Sequence, residues 1–522
     1  MNKKAYFEYI NSHGADLFTV VLLPEADGKF PTVIVRTPYV DWLEDKTEEF
    51  IVELCRGENT SWTDRGYAMV IQYCRGRGKS SGDCIPYIYE GMDTNSLYDW
   101  VRKQGFYNGE IILKGGSYLS SVHYCAAPYK EDIKGAIFAF QDTDLYNLCY
   151  RNGFFKRNLI GEWYVGMYKA KSKTKKNFTR DSFDMLPLCN FSKAVLGEDV
   201  PPLDKMLLSP NRDNAFWHTH EGGVTEKHSL DNADFPMLFT TGFYDIYTGG
   251  IFDMWRALKE NVRNKSALVV SPYDHGDGCP QNSIVFKNGK RTEKFGTNYE
   301  IDWCDYVVNG ASSPFEVGKV TYYTLFENQW HADDFADCKT VKTLVLGDKE
   351  VSYIYDPQNA PGFKGGLSCS FGGAEYQDKP YQRDDVVTLY TEPFECDAFI
   401  KGKAKMRLYV SSDCEDTCFY ARISIEKPEG DFPLRDDITS LCHQLGSYTP
   451  NTKAMLDFTF DEHSFLIKQG ERLRIDISSA NRDHYVPHTN YKGLYSMQTK
   501  SKKANNTLYL ADSTLTLPCE FK

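Results

Sequence analysis

The sequence has no long hydrophobic run. No stretch approaches the ~18 consecutive apolar residues that a membrane-spanning helix needs. The opening segment, "MNKKAYFEYINSHG", contains two lysines but no apolar stretch after them. We therefore expect neither a secretory signal peptide nor a membrane anchor, and we expect a cytoplasmic protein without a membrane partner.

Basic residues are also fewer than acidic residues. The 522 residues include 60 Lys and Arg against 72 Asp and Glu, which gives a formal net charge of −12. Such a surface repels the phosphate backbone of nucleic acids. We therefore expect no nucleic-acid partner, and we interpret the excess of acidic residues as a contribution to solubility.

Clustered metal ligands are scarce as well. The 15 cysteines are scattered and form no C-x-x-C pair, so free thiols in a reducing cytosol are the expected state. The best metal candidate is "HTHEGG", with His218, His220 and Glu221, and with His228 nearby. A zinc site needs a tighter set of ligands. We interpret this segment as a polar loop and expect no metal.

Short apolar runs rich in β-branched residues are plentiful. Runs of this kind that alternate with helical segments, such as "MDTNSLYDWVRKQ", are typical of a parallel sheet covered on both faces. They predict a doubly wound α/β core. The runs lie at residues 30–35, 67–73, 110–115, 135–140, 235–245 and 266–276.

Two regions depart from this pattern. Residues 145–235 are aromatic and basic and are interrupted by prolines, which favours an inserted helical region. From about residue 320 onward, period-2 alternation takes over, as in "MLDFTF" and "RLRIDIS". Many short strands separated by turns are typical of a β-sandwich or jelly roll.

Reactive side chains follow three of the predicted core strands. Ser117 follows "EIILKG", Asp245 follows "FPMLFTTG", and His275 follows "ALVVSPYD". Ligands of an open parallel sheet bind beyond the carboxyl ends of its strands. Any one of these residues alone would be an ordinary turn, cap or loop residue. Together, in the chain order Ser, Asp, His, they predict the catalytic triad of an α/β-hydrolase.

A second serine matches the common nucleophile motif G-x-S-x-G better than Ser117 does. Ser80 lies in "GKSSG", whereas "GGSYLS" has Leu119 where the motif asks for glycine. A nucleophile elbow needs a strand directly before the serine and a helix directly after it. Ser80 follows no strand, and the proline of "SGDCIPYIY" argues against a helix after it. We predict that Ser117 is the nucleophile and that Ser80 is a loop residue.

The sequence resembles the CocE/NonD serine hydrolases, the family of bacterial cocaine esterase, α-amino-acid ester hydrolases and glutaryl acylases, with X-prolyl dipeptidyl peptidases as larger relatives. "GGSYLS" is similar to the family's elbow G-x-S-Y-x-G, with Ser120 in place of the last glycine. "GFYDIY" and "SPYDHG" resemble the segments that carry the triad Asp and His, and "RIDISSANRDHY" resembles part of the C-terminal jelly roll. The resemblance covers nearly the whole chain.

This resemblance implies a domain organisation. It implies an α/β-hydrolase core formed by residues 1–144 and 236–320, a helical cap at 145–235, and a C-terminal β-sandwich (jelly-roll) domain at 321–522.

It also implies a mechanism. The family's oxyanion hole uses a tyrosine hydroxyl from an R-x-P-Y loop, which is Tyr39 of "RTPY" here, and the backbone N–H after the nucleophile, which belongs to Tyr118. We expect an acyl-enzyme intermediate formed on a small-molecule ester or amide substrate. The mechanism requires neither a metal nor an organic cofactor.

Several alternatives stay open. Four carboxylates near the predicted strand ends could bind an α-ammonium group, as in the amino-ester hydrolases, although solvated loop carboxylates are the better interpretation. An enzyme that releases N-terminal residues or dipeptides is one alternative function. A non-catalytic scaffold with a binding jelly roll is another, and the sequence leaves a homodimer open. The four carboxylates are Asp142, Asp144, Asp274 and Asp277.

Overall fold

The computed structural model describes residues 4–157, 161–168, 178–219, 230–276, 284–367, 373–377 and 383–521. Its N-terminal part contains twelve strands among these residues. They are β1 (Ala5–Ser12), β2 (Ala15–Leu22), β3 (Phe30–Thr37), β4 (Ala68–Tyr73), β5 (Tyr107–Gly116), β6 (Ile133–Ala139), β7 (Tyr150–Arg151), β8 (Phe154–Phe155), β9 (Met237–Gly242), β10 (Ala267–Ser271), β11 (Val320–Thr324) and β12 (Gln329–Asp333).

Ten of these strands form one twisted sheet, in the order β1-β2-β4-β3-β5-β6-β9-β10-β11-β12. The neighbours from β4 to β11 are parallel. The remaining pairs, which involve β1, β2 and β12, are antiparallel. The carboxyl ends of β3, β5, β6, β9 and β10 therefore lie along the same edge of the sheet.

Helices pack on both faces of this sheet, and others lie between β6 and β9 and in the C-terminal part. In the described part of the chain they are α1 (Glu48–Glu58), α2 (Thr60–Asp64), α3 (Glu90–Val101), α4 (Tyr118–Tyr124), α5 (Leu145–Cys149), α6 (Glu162–Met167), α7 (Pro201–Leu207), α8 (Thr248–Ala257), α9 (Glu260–Arg263), α10 (Arg291–Phe295), α11 (Tyr299–Asn309) and α12 (Leu441–Leu445).

Both faces of the sheet are buried, because successive side chains of a strand point to opposite faces. On β5, Ile111 and Leu113 pack into one apolar cluster together with residues of α3, α4 and α8. The residue between them, Ile112, packs into a second cluster together with residues of α1, α2 and α11. The predicted doubly wound core is thereby confirmed.

Among the described residues between β6 and β9, the helices are short. The helices α5, α6 and α7 have only five to seven residues, and β7 pairs with β8 in a two-stranded hairpin. The hairpin turn is formed by Asn152 and Gly153, whose φ angles are +46° and +82°. Asn-Gly is the preferred pair for a type I′ turn, in which both central residues have positive φ.

The described residues of the C-terminal part form only strands, loops, α12 and short 3-10 turns. Its strands are β13 (Val341–Val345), β14 (Glu350–Tyr355), β15 (Val387–Tyr390), β16 (Ala398–Gly402), β17 (Lys405–Ser412), β18 (Cys418–Lys427), β19 (Gly430–Ser440), β20 (Ala454–Thr459), β21 (His463–Ile467), β22 (Leu473–Ser478), β23 (Ala504–Tyr509) and β24 (Thr514–Phe521).

These strands form an eight-stranded sheet and the four-stranded sheet β15-β22-β18-β19. All the pairings are antiparallel, so the predicted β-sandwich is confirmed. Its jelly-roll connectivity and the domain boundaries remain predictions. Strands β11 and β12 still belong to the core sheet, which therefore continues past residue 320 to Asp333.

Two further features concern the thiols and the helices. The thirteen cysteines among the described residues are free thiols. No helix in the described ranges is both long enough and apolar enough to cross a membrane.

Candidate active site

Ser117 lies at the sharp turn between β5 and α4. Its backbone adopts φ +54° and ψ −130°, a conformation that costs on the order of 1–3 kcal/mol for a residue with a side chain. Its N–H donates a hydrogen bond to the carbonyl oxygen of Ala139, at 2.7 Å, at the end of β6. Ser117 thus occupies the strand-turn-helix geometry of a nucleophile elbow.

Small neighbours make this turn sterically allowed. A Cβ on Gly115 would lie 2.1 Å from the carbonyl oxygen of Leu119, so position 115 requires glycine. Ser120 is fully buried, and its hydroxyl donates to the carbonyl oxygen of Gly115 at 2.9 Å. The elbow therefore depends on the first glycine of the motif and accepts leucine at position 119.

Asp245 follows β9 and is completely buried. One carboxylate oxygen accepts a hydrogen bond from the Thr241 hydroxyl at 2.8 Å. The other accepts from the backbone N–H of Tyr247 at 3.4 Å and faces Nδ1 of His275 at 3.1 Å. These contacts hold the carboxylate in one orientation.

His275 follows β10, and its side chain is 17% exposed. Its ring packs against the rings of Phe140 and Tyr247, with centroid separations of 5.1 and 5.6 Å. When Nδ1–H donates to Asp245, a neutral imidazole carries its lone pair on Nε2. A His275 ring that donates from Nδ1 to Asp245 has the tautomer that a general base requires.

The end of β6 connects the serine to the histidine. Ala139 accepts the hydrogen bond from Ser117, and the next residue, Phe140, packs its ring on His275. The N–H of Phe140 donates to the carbonyl oxygen of Thr240 on β9 at 2.8 Å. The three predicted triad residues thus lie at the same edge of the sheet, and the structure pairs His275 with Asp245.

The two predicted oxyanion residues differ in burial. Tyr118 is 2% exposed, and its hydroxyl donates to a Glu90 oxygen at 2.7 Å. Tyr39 lies in the loop after β3 and is 43% exposed. Its hydroxyl oxygen accepts a hydrogen bond from the indole N–H of Trp163 in α6, at 3.1 Å.

Ser80, the serine with the better motif match, uses its hydroxyl in hydrogen bonds to the backbone. It lies in a loop and is 7% exposed. Its hydroxyl accepts the N–H of Phe18 at 2.9 Å and donates to the carbonyl oxygen of Tyr73 at 3.0 Å. Ser80 therefore connects the loop to β2 and β4, as expected of a loop residue.

Two of the carboxylates considered for amine recognition have partners within the protein. Asp142 is 3% exposed and accepts the N–H of Asp144 at 2.7 Å. Burial, reinforced by the charge of Asp144, raises the pKa of Asp142 to about 7. Asp144 accepts the N–H of Tyr146 at the start of α5 and pairs with Arg212.

The remaining candidates for amine recognition and for metal binding are described only in part. Asp274 is buried, and Asp277 lies outside the described residues. Of the candidate metal ligands in the predicted polar loop, His218 lies within the described residues, and His220, Glu221 and His228 lie outside. Within the described ranges, no group of three or more His, Cys, Asp or Glu side chains is arranged to hold a metal ion.

Sequence reasoning missed the specific contacts of Trp163 and Phe140. Trp163 belongs to the aromatic region 145–235, but spacing alone does not reveal its hydrogen bond to Tyr39. Phe140 is the last residue of the predicted strand 135–140, and its ring contact with His275 depends on a φ of +54°. Neither contact leaves a pattern in the sequence.

Comparison with known families identifies the protein class. Residues 13–277 match the family described as X-Pro dipeptidyl-peptidase (S15 family). The chain belongs to the S15 family. Residues 317–514 of this S15 protein match the X-Pro dipeptidyl-peptidase C-terminal non-catalytic domain. The resemblance to the CocE/NonD hydrolases is confirmed, and this S15 family member is a serine hydrolase.

Individual relatives agree with this assignment. Cocaine esterase from Rhodococcus sp. (strain MB1 Bresler) is 23% identical, with 92% of this chain and 91% of that protein aligned. The structure of an α-amino acid ester hydrolase has a TM-score of 0.81 at 19% identity, covering 99% of this chain and 96% of that chain. An aminopeptidase from a marine sediment Thaumarchaeota archaeon has a TM-score of 0.79 at 18% identity, with 98% and 96% covered. At these identities the two structures share the fold.

Proposed function

We propose that this serine hydrolase cleaves acyl esters of small molecules through an acyl-enzyme intermediate carried by Ser117. The observation that carries the proposal is the buried Asp245 carboxylate facing Nδ1 of His275 at 3.1 Å, at the same sheet edge as the strained Ser117 elbow. A carboxylate, an imidazole and a hydroxyl at this edge match the division of roles in a Ser-His-Asp hydrolase.

In the first half-reaction, Ser117 Oγ forms a bond to the acyl carbon while Nε2 of His275 takes its proton. The carbonyl π electrons move to oxygen, which is stabilised by the Tyr39 hydroxyl and the Tyr118 N–H. The tetrahedral intermediate then expels the alcohol, which receives the proton from His275. Asp245 holds the imidazole tautomer and stabilises the imidazolium.

In the second half-reaction, water replaces the alcohol. His275 removes a proton from the water as it attacks the acyl carbon, and it then returns that proton to Ser117 Oγ. A carboxylic acid leaves and the enzyme is regenerated.

Two observations favour esters over peptides with a free N-terminus. A peptidase that recognises an α-ammonium group needs a carboxylate that faces the substrate. Asp144 is engaged with Arg212 and with the start of α5. Asp142 is packed under α8 so closely that a Cβ on Gly250 would lie 1.6 Å from its Oδ2. Both carboxylates thus serve contacts within the chain. The names of the cocaine esterase and the amino acid ester hydrolase point to ester substrates as well.

The test is a substrate panel run on three proteins. Wild type, Ser117→Ala and Ser80→Ala are assayed on p-nitrophenyl esters, on aminoacyl esters and on dipeptidyl p-nitroanilides. We expect wild type and Ser80→Ala to hydrolyse the p-nitrophenyl esters, and Ser117→Ala to be inactive. Turnover of the dipeptidyl anilides alone would favour the peptidase alternative. Ester activity that persists in Ser117→Ala would contradict the proposal.

A further inference from the structure

The cap contacts both residues proposed for the oxyanion hole through one side chain. Trp163, in α6, donates its indole N–H to the hydroxyl oxygen of Tyr39 at 3.1 Å. The Trp163 ring also packs on the ring of Tyr118, with a centroid separation of 5.1 Å, and on that of Tyr87, at 5.9 Å. One cap residue therefore contacts the side chains of both Tyr39 and Tyr118.

Tyr118 is held independently of the cap. Its buried hydroxyl donates to Glu90 at 2.7 Å and accepts the N–H of Tyr87 at 3.0 Å. Glu90 in turn pairs with Arg36, which is fully buried at the end of β3. The Tyr118 backbone is thus fixed by the elbow and by this network.

Tyr39 has a different environment. It lies in a loop and is 43% exposed, so the core restrains its phenol ring less than it restrains Tyr118. A phenol oxygen can accept a hydrogen bond and still donate its own proton. A bond accepted from Trp163 sets the position of the hydroxyl and, by polarising it, strengthens it as a donor.

We propose that Trp163 is a positioning residue of the oxyanion hole, acting through its hydrogen bond to Tyr39. This inference rests on the proposed function. It assigns the cap a part in the chemical step, because α6 has to be docked for Tyr39 to be aligned. Trp163 itself touches neither the acyl group nor the reacting atoms in this role.

The test replaces the indole while keeping an aromatic ring. Trp163→Phe removes the N–H donor but retains a ring that can pack on Tyr118. We expect kcat on a p-nitrophenyl ester to fall about five- to tenfold, the effect of one hydrogen bond, with KM changed less than about twofold because the oxyanion forms only after binding. Tyr39→Phe is expected to lower kcat on the order of 10²-fold or more.

The decisive measurement is the double variant. In the Tyr39→Phe background, Trp163→Phe should change kcat less than about twofold, because its partner is already gone. Trp217→Phe is the matched control, since Trp217 is another cap tryptophan whose indole N–H donates to a backbone carbonyl, that of Ser209, at 3.0 Å. We expect this control to keep the wild-type kcat per folded molecule.

Three results would overturn the inference. They are an unchanged kcat in Trp163→Phe, an equal fold loss in both backgrounds, and a near-normal kcat in Tyr39→Phe. Fluorophosphonate labelling separates this failure from that of the proposed function. Label on Ser117 together with either of the first two results rejects only the role of Trp163, and label together with the third result also rejects Tyr39 as an oxyanion donor. A wild-type protein without label on Ser117 rejects both.

Discussion

The carboxylate of Asp245, which is fully buried, faces Nδ1 of His275 at 3.1 Å. A buried carboxylate that has one side-chain hydroxyl and one imidazole as partners is held rigidly. In the proposed mechanism, this carboxylate determines which nitrogen of His275 carries the proton and which one accepts the proton of Ser117.

Replacing this carboxylate by an amide tests its role. Asp245→Asn keeps the shape of the side chain but presents a neutral amide to Nδ1, which favours the wrong tautomer. We expect kcat for ester hydrolysis to fall on the order of 10⁴-fold. Thr241→Val, which removes the other side-chain partner of the carboxylate, should cost less than about tenfold in kcat. Near-normal turnover by Asp245→Asn would contradict the assigned role.

The elbow makes a prediction about two adjacent glycines. A methyl group on Gly115 would lie 2.1 Å from the carbonyl oxygen of Leu119, whereas one on Gly116 would lie 3.7 Å from the Cβ of Ala139. We expect Gly115→Ala to lower the free energy of unfolding on the order of 2–4 kcal/mol and to remove activity. Gly116→Ala should cost less than about 1 kcal/mol. Similar urea midpoints for the two variants would contradict this geometry.

The sequence predicts the core better than the cap because the two regions are stabilised differently. Strands such as β5 and β6 are continuous apolar runs buried on both faces, so residues 110–115 and 135–140 already indicate the observed Tyr107–Gly116 and Ile133–Ala139. The positions of Ser117, Asp245 and His275 could be predicted as well, because each residue comes shortly after the end of a core strand. The described part of the cap depends on long-range packing among its aromatic side chains, which local spacing does not predict.

Other features are visible only in three dimensions. The hairpin turn at Asn152 and Gly153 carries a local Asn-Gly signal that helical spacing hides. The bond between Trp163 and Tyr39 joins residues 124 positions apart, and no pattern within either segment encodes it. The close packing of the Asp142 carboxylate against Gly250 also joins residues that are distant in the sequence, so no local pattern predicts it.

Asp142 predicts how stability depends on pH. Burial raises the pKa of its carboxyl to about 7, compared with ~3.9 in an unfolded chain. Between these pH values the folded state holds a proton that the unfolded state has lost, so the free energy of unfolding decreases as pH rises from about 4 to about 7. Asp142→Asn should remove this decrease. The free energy of unfolding of the variant minus that of wild type should therefore be larger at pH 8 than at pH 4, by on the order of 2–4 kcal/mol.

The matched control has the opposite sign. Burial tends to raise the pKa of Asp132, but hydrogen bonds from Arg102 and Tyr107 outweigh it and lower that pKa below its usual value. Its stabilisation is fully present above about pH 5 and is lost as pH falls below about 4, so Asp132→Asn should destabilise the protein by about the same amount from pH 5 to 8 and by less near pH 3. Urea unfolding across pH 3–8 measures both variants. Parallel curves for Asp142→Asn and wild type would contradict the prediction.

The cap and the C-terminal domain are joined by a partly buried ion cluster. Arg151 in β7 donates to Asp437 at 2.8 Å and to Asp461 at 2.9 Å, and the two aspartate side chains are only 3% and 13% exposed. Arg151→Leu leaves both carboxylates without this partner, and we expect it to lower the free energy of unfolding by about 2–4 kcal/mol. Arg407→Leu breaks an exposed pair with Asp457 and should cost about 0–1 kcal/mol. Equal losses in the two variants would argue against the cluster as a domain contact.

The most direct measurement is active-site labelling with a fluorophosphonate, followed by peptide mapping by mass spectrometry. Wild type, Ser117→Ala and Ser80→Ala are labelled side by side, with circular dichroism showing that each is folded. We predict a single modified serine, Ser117, in wild type and in Ser80→Ala, and no modification in Ser117→Ala. Label on Ser80, or a folded wild type that takes no label, would contradict the assignment of Ser117 as the nucleophile.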